Sequence, residues 1–180
     1  FHLVFAYERV MVGRLINNIV NYPRIIGGVT PACTEKGLWL YKHIVKEQLI
    51  PVDATTGEVA KVVENTYRDV QIAFANEVAL ACEALNVHFN DVRRCVNSLP
   101  FNSNAYRDLH LPGAGVGGHC LPKDPWLLKF GVDTYGKMKV PFDVIVQARY
   151  RNDKMPEHML ALAKQGLKRA GLDLATTTVA

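Results

Sequence analysis

Thr55–Leu85, TTGEVAKVVENTYRDVQIAFANEVALACEAL, is the stretch on which the reading of the chain turns. Thr55-Thr56-Gly57-Glu58 has the form of a capping box, a threonine followed three residues later by glutamate. Behind it Val59, Val62, Val63, Thr66, Val70, Ala73, Phe74, Val78 and Leu80 recur at helical spacing, and no proline intervenes before Pro100. The spacing predicts one helix running to Leu85, about 45 Å long. A helix of that length spans domains or forms a subunit interface.

Upstream of it the pattern is mixed. Leu3–Ala6, Arg24–Gly28 and Leu49–Val52 read as short strands, and Arg9–Tyr22 reads as a helix. A second helix begins at Thr30-Pro31, with proline at its first position, and runs to about Val45. Alternating strands and helices predict α/β layering with a parallel sheet. Downstream everything is helical or loop. Val87–Leu99 reads as a short helix entered through Asn90, and Asn102–Gly118 as loop. Helical periodicity returns over Pro125–Gly131 and over Val140–Ala170, with Gly171 as the stop. The fold class is therefore mainly α with a partial α/β layer, two bodies joined by the long helix. Phe1–Ala6 reads as opening in mid-strand and Ala175–Ala180 as stopping at a strand's beginning, so the chain reads as a fragment of a longer one.

The 180 residues are 49% hydrophobic and 21% charged, the composition of an ordinary globular protein. The net charge of +4 comes from scattered Lys and Arg, which argues against a nucleic-acid partner and suits a cleft for a small anion. No apolar run has the length of a membrane span and no signal peptide is visible. Cys33, Cys82, Cys95 and Cys120 have no metal-ligand spacing, so no metal is expected, and reduced thiols in a cytoplasmic protein fit them. Cys82 and Cys95 lie among apolar helical residues and read as buried packing.

Cys120 stands in different company, LPGAGVGGHCLPKDPW over Leu111–Trp126. Asp124-Pro125 reads as a helix start, with Asp124 as N-cap and Pro125 first in the helix. Cys120 then lies just ahead of a helix N-terminus, whose positive end favours thiolate over thiol. The working expectation is a nucleophilic cysteine on the floor of a substrate pocket. Gly113-x-Gly115-x-x-Gly118 matches GxGxxG in form, but helices surround it and no βαβ unit contains it, so the dinucleotide-loop reading is rejected. A substrate-contacting loop and a plain connection both remain open.

Other candidates also carry two readings. Lys61 and Asn65 are four apart and share a helix face, where a lysine and an amide can hold an oxyanion. The plainer alternative is a solvated stripe, with Glu64 and Arg68 as a surface pair. Glu8, at a strand end where open sheets place ligand sites, is a general base or a loop charge. Asp124 is a functional carboxylate or only an N-cap. His119 beside Cys120 is unsuited to a Cys-His dyad, because adjacent side chains rarely reach that geometry; a substrate-binding or structural role fits it better.

Four segments taken together resemble the UDP-glucose/GDP-mannose (nucleotide-sugar 6-) dehydrogenase family, and most of all its UDP-N-acetylhexosamine branch. They are Glu8–Arg14, Arg24–Gly28, Ala60–Arg68 and Pro112–Trp126, in the family's order. The resemblance implies an NAD-binding Rossmann-like domain ending over 1–53, a helical dimerisation and catalytic domain over 54–170, and the start of a nucleotide-sugar domain over 171–180. It implies NAD as cofactor, a UDP-sugar substrate, a homodimer through the central helices, and a role in surface polysaccharide precursors.

The resemblance also assigns roles. Cys120 captures the C6 aldehyde, and Lys61 and Asn65 stabilise the alkoxide-like oxygen. Asp124 orients water and supports proton transfer, and Glu8 serves thioester hydrolysis. Gly117, Gly118, His119 and Arg14 contact substrate and Lys123 contacts NAD, while the NAD-binding glycine loop lies upstream of Phe1. This stretch by itself would then be inactive. Two positions depart from the pattern: Tyr7 stands where proline is expected, and Val12 where UDP-glucose enzymes carry an acid. The competing readings are a UDP-glucose 6-dehydrogenase, a non-catalytic dimerisation module, and a two-electron dehydrogenase that would not need Cys120.

Overall fold

The computed structural model describes residues 1–11, 13–99 and 108–178. The chain divides into two compact units, Phe1–Glu64 and Asn65–Ala180, and the division falls within one helix.

The first unit carries β1 (Val4–Phe5), α1 (Leu15–Asn21), β2 (Arg24–Gly28), α2 (Pro31–Tyr41) and β3 (Leu49–Asp53), then the start of α3 (Ala54–Ala84). The strands form one sheet in the order β1-β2-β3. All of β2 is buried at its centre. β2 and β3 are parallel, with Ile26 opposite Pro51, as the alternating pattern predicts. β1 corrects that prediction: it is antiparallel to β2, with Val4 opposite Gly28. Element alternation fixes the layering, but an edge strand on a parallel pair is free to run the other way.

α2 starts as read from the sequence. Thr30 is its N-cap, accepting the Cys33 amide at 3.3 Å, and Pro31 follows. It ends at Tyr41 rather than Val45, closing in turns before Lys46 donates to the Val20 carbonyl at 2.8 Å. α1 is much shorter than the expected Arg9–Tyr22. Gly13 has φ +79°, Arg14 N–H bonds Met11 O at 3.0 Å, and the buried Asn18 side chain takes the Met11 amide at 2.9 Å. A turn tied down by Asn18 occupies the place of the first helical turns.

α3 runs to Ala84, one residue short of the reading, but its cap is different. Asp53 accepts the Thr56 amide at 2.9 Å and the Thr56 hydroxyl at 2.5 Å, so the helix begins before the capping-box threonine. The Thr56 hydroxyl holds the Asp53 carboxyl below its ordinary range.

The second unit holds the rest of α3 with α4 (Phe89–Val96), α5 (Cys120–Tyr135) and α6 (Asp143–Arg169). α4 has His88, not Asn90, at its N-cap and stops at Val96. Cys95 is exposed there, against the expectation of packing, whereas Cys82 is buried. α6 ends as read: Gly171 has φ +70°, its N–H bonds Lys168 O, and Leu172 N–H bonds Leu167 O. That is the Schellman pattern. Of the loop expected over Asn102–Gly118, residues 102–107 lie outside the described residues, and 108–118 carry neither helix nor strand. Ala175–Thr178 form a turn and loop rather than the start of a strand, and the rest of that expectation lies outside the described residues. No helix among the described residues is long and apolar enough to cross a membrane.

The interior between α3 and α6 is made of small residues and charges. Ala73, Ala75, Ala79, Ala148 and Met155 are buried, and so are Asp69, Asn76, Arg149 and Asn152. Arg149 Nη1 donates to Asp69 Oδ1 at 2.5 Å, and Asn152 Nδ2 to the same oxygen at 2.9 Å. Asn76 Nδ2 donates to Asn152 Oδ1 at 2.9 Å, completing the chain of bonds.

Candidate active site

α5 begins at Cys120, which is its first residue and exposed; His119 occupies the N-cap position. This corrects the expectation that Asp124-Pro125 opens the helix. The Asp124 carboxylate is spent elsewhere, so it caps nothing. Asn65 Nδ2 donates to Asp124 Oδ2 at 2.6 Å, and Lys123 Nζ donates to Oδ1 at 2.6 Å. Pro125 lies inside the helix, where its missing N–H leaves the Leu121 carbonyl without that partner.

Asp124 is only 2% exposed, so its charge is desolvated, and both oxygens need the donors they have. Hydrogen bonding to Asp124, with a smaller pull from Cys120, raises Lys123 above its ordinary value. Asn65 spends one amide hydrogen on Asp124, which fixes the plane of the amide; its second hydrogen has no acceptor among the described residues.

The glycine run ahead of Cys120 is docked rather than free. Gly113 N–H donates to Asn76 Oδ1 at 2.9 Å. Gly115 has φ +107°, and a Cβ there would lie 2.7 Å from the Asn152 carbonyl oxygen and 3.2 Å from Pro156 Cδ. Only glycine fits that approach. Gly117, Gly118 and His119 follow it on the surface, beside Cys120. A dinucleotide cradle needs a strand, a free glycine backbone and a helix in sequence. Among the described residues of the second unit no strand precedes the run, and Gly115 is pressed onto α6, so the run lacks the form of a dinucleotide cradle.

The second unit thus gathers Asn65, Lys123, Asp124 and Cys120 at the start of α5. In the first unit Lys61 is half-buried on α3, its Nζ 5.3 Å from the centroid of the Tyr7 ring. Glu8 is exposed on the segment after β1, and Arg14 is exposed at the N-cap position of α1. Glu64 does not form the surface pair expected with Arg68; Arg9 and the Tyr7 hydroxyl hold it. Sequence reasoning missed Tyr7 and Arg9 as a group, and it missed Asn76 and Asn152. The one signal for Asn76 is its seven-residue spacing from Asp69, which puts both on one flank of α3 beside the apolar stripe; Asn152 carries none.

The sequence pattern of the UDP-glucose/GDP-mannose dehydrogenase family, central domain, matches residues 55–154. The UDP-N-acetyl-D-mannosamine dehydrogenase of Pyrococcus horikoshii is 38% identical over all of this chain, which covers 40% of that protein. The NDP-N-acetyl-D-galactosaminuronic acid dehydrogenase of Ralstonia nicotianae is 36% identical over 90% of this chain and 36% of its own length. Among solved structures, an NDP-N-acetyl-D-galactosaminuronic acid dehydrogenase from Methanosarcina mazei superposes with a TM-score of 0.87 at 45% identity. That match covers 96% of this chain and 37% of the other. The chain therefore spans about 40% of the length of the first of these curated relatives.

Proposed function

The chain belongs to the UDP-glucose/GDP-mannose dehydrogenase family, and from that membership we propose that it is part of an NAD-dependent nucleotide-sugar 6-dehydrogenase. The proposed reaction oxidises the C6 alcohol of a UDP-N-acetylhexosamine to the uronate. The names of the relatives favour an N-acetylhexosamine over glucose. One observation carries the proposal: a buried carboxylate, Asp124, clamps Asn65 and Lys123 one turn after an exposed cysteine at a helix start.

The chain's own residues divide the work as follows. Lys61 and the free amide hydrogen of Asn65 donate to the C6 oxygen as it gains alkoxide character. Asp124 fixes the Asn65 amide in that direction and serves as the proton relay and water-orienting group. The Cys120 sulfur adds to C6 of the aldehyde, giving a thiohemiacetal and then, after the second oxidation, a thioester. Covalent capture keeps the aldehyde from escaping between the two oxidations. Glu8 activates the water that hydrolyses the thioester. Gly117, Gly118, His119 and Arg14 contact the nucleotide sugar.

NAD is the hydride acceptor in this proposal, with Lys123 as a contact, and the described residues form no cradle for it. The same reading divides the chain at 53 and 170, pairs two copies through the central helices, and puts the enzyme in the cytoplasm, where it supplies polysaccharide precursors.

The test uses the full-length protein with UDP-N-acetylmannosamine and NAD. Cys120→Ser should abolish uronate formation, with no more than a single-oxidation product accumulating. Two NADH per sugar in that variant would overturn the mechanism.

A further inference from the structure

Lys61 sits three residues before Glu64 on α3, a spacing at which lysine and glutamate side chains ordinarily pair. That pair does not form. Among the described residues Lys61 has no carboxylate within ion-pair distance, and Glu64 is engaged by other groups. Arg9 Nε donates to both Glu64 oxygens, at 3.0 and 2.8 Å, and the Tyr7 hydroxyl donates to Oε2 at 3.1 Å. Arg9 is held in turn by the Pro23 carbonyl at 3.1 Å and by the Tyr7 oxygen at 3.2 Å.

The Tyr7 ring completes the arrangement. It is 8% exposed, and it takes the Lys61 ammonium 5.3 Å and the Arg9 guanidinium 5.4 Å from its centroid. Both distances lie within the range of cation–π attraction. Burial raises the Tyr7 phenol above its ordinary value, so it remains a hydrogen-bond donor to Glu64 at neutral pH.

We infer that Tyr7 and Arg9 are positioning residues, which draw Glu64 away from Lys61 and rest the Lys61 ammonium on the Tyr7 ring, its donors free for an anionic oxygen. A lysine paired with Glu64 would be partly neutralised before any substrate arrived. The catalytic meaning of this clamp rests on the role proposed above for Lys61; the clamp itself does not.

Competitive acetylation tests it without turnover. Lys61 in the full-length protein is labelled with acetic anhydride at fixed pH and read by peptide mass spectrometry, with exposed Lys36 as the internal standard. In Arg9→Gln the freed Glu64 should pair with Lys61 and slow its labelling about twofold, the effect of an i,i+3 ion pair. Arg9→Gln/Glu64→Gln should restore the wild-type rate. Tyr7→Phe, which keeps the ring, should slow labelling in the same direction and by less.

Unchanged or faster labelling in Arg9→Gln overturns the inference. So does a double variant as slow as Arg9→Gln, because loosened structure is not rescued by a second loss. In turnover, Arg9→Gln should lower kcat by about the same twofold with KM unchanged. If labelling follows the clamp while Lys61→Met leaves uronate formation intact, the clamp stands and the assignment of Lys61 falls.

Discussion

Cys33 lies at the third position of α2, its sulfur 3.1 Å from the Thr30 hydroxyl that also caps the helix. That hydroxyl, then backbone donation from the Leu3 region, lowers the thiol from 9.0 to about 6. The folded value lies below the unfolded one, so the thiolate stabilises the fold fully above about 9, and that stability is lost as pH falls through about 6. Burial, at 7% exposure, slows reagents and pulls the thiol upward, against the larger lowering by the Thr30 hydroxyl. Alkylation of Cys33 followed against pH should show a midpoint near 6, and Thr30→Val should move it upward. A midpoint left in place by Thr30→Val would mean the hydroxyl is not the cause. The sequence marked Thr30-Pro31 as a helix start but singled out Cys120, not Cys33, as the reactive thiol. Glycines and charges around Cys120 are visible as letters, whereas a hydroxyl–sulfur contact depends on a rotamer. Asp124 is the same case in reverse: its letters read as a cap, and only its contacts with Asn65 and Lys123 show a buried clamp.

α3 and α6 are joined by the Asp69–Arg149 pair, both members buried, with Arg149 also bonded to Asp153. Burial raises the Asp69 carboxyl despite Arg149, so the pair is costly to assemble and costlier to break. Arg149→Met should destabilise the helical unit by about 3–5 kcal/mol, because Asp69 is left without its counterion. Asp69→Leu/Arg149→Met, which removes both charges, should recover most of that loss. Urea unfolding followed by helical circular dichroism measures both, and a double variant no more stable than the single one would show that the pair is not the clasp. Elements whose signals are local were legible: β2 from its apolar run, α2 from Thr30-Pro31, the end of α6 from Gly171. Elements whose limits depend on distant partners were not. α5 starts at Cys120 because Asp124 is taken by Asn65, far away in sequence, and α1 is short because Asn18 reaches back to Met11. Apolar periodicity found the stripe of α3 but could not reveal that Asp69 and Asn76 share its buried side.

In the second unit α3, α4 and the segment after Asp108 enclose an apolar groove of about 560 Å³. Val70, Phe74, Val78, Val92, Val96 and Leu109 line it, and Phe74 remains 64% exposed. His110, hydrogen-bonded to Gln71 at 3.3 Å, closes one side. An open apolar surface on a long helix is the kind of face that a second copy covers, and the proposed homodimer through the central helices needs such a face. A C2 seam meets itself, so one charge introduced on Phe74 appears twice and like charges face each other across the axis. Phe74→Glu should therefore convert the dimer to monomer in sedimentation velocity while circular dichroism keeps its helical signal. Phe74→Leu, apolar and smaller, should remain dimeric with at most a modest rise in the dissociation constant. A Phe74→Glu protein that sediments as the same dimer would exclude this groove as the seam. The proposed pairing would then have to run through another face of the central helices.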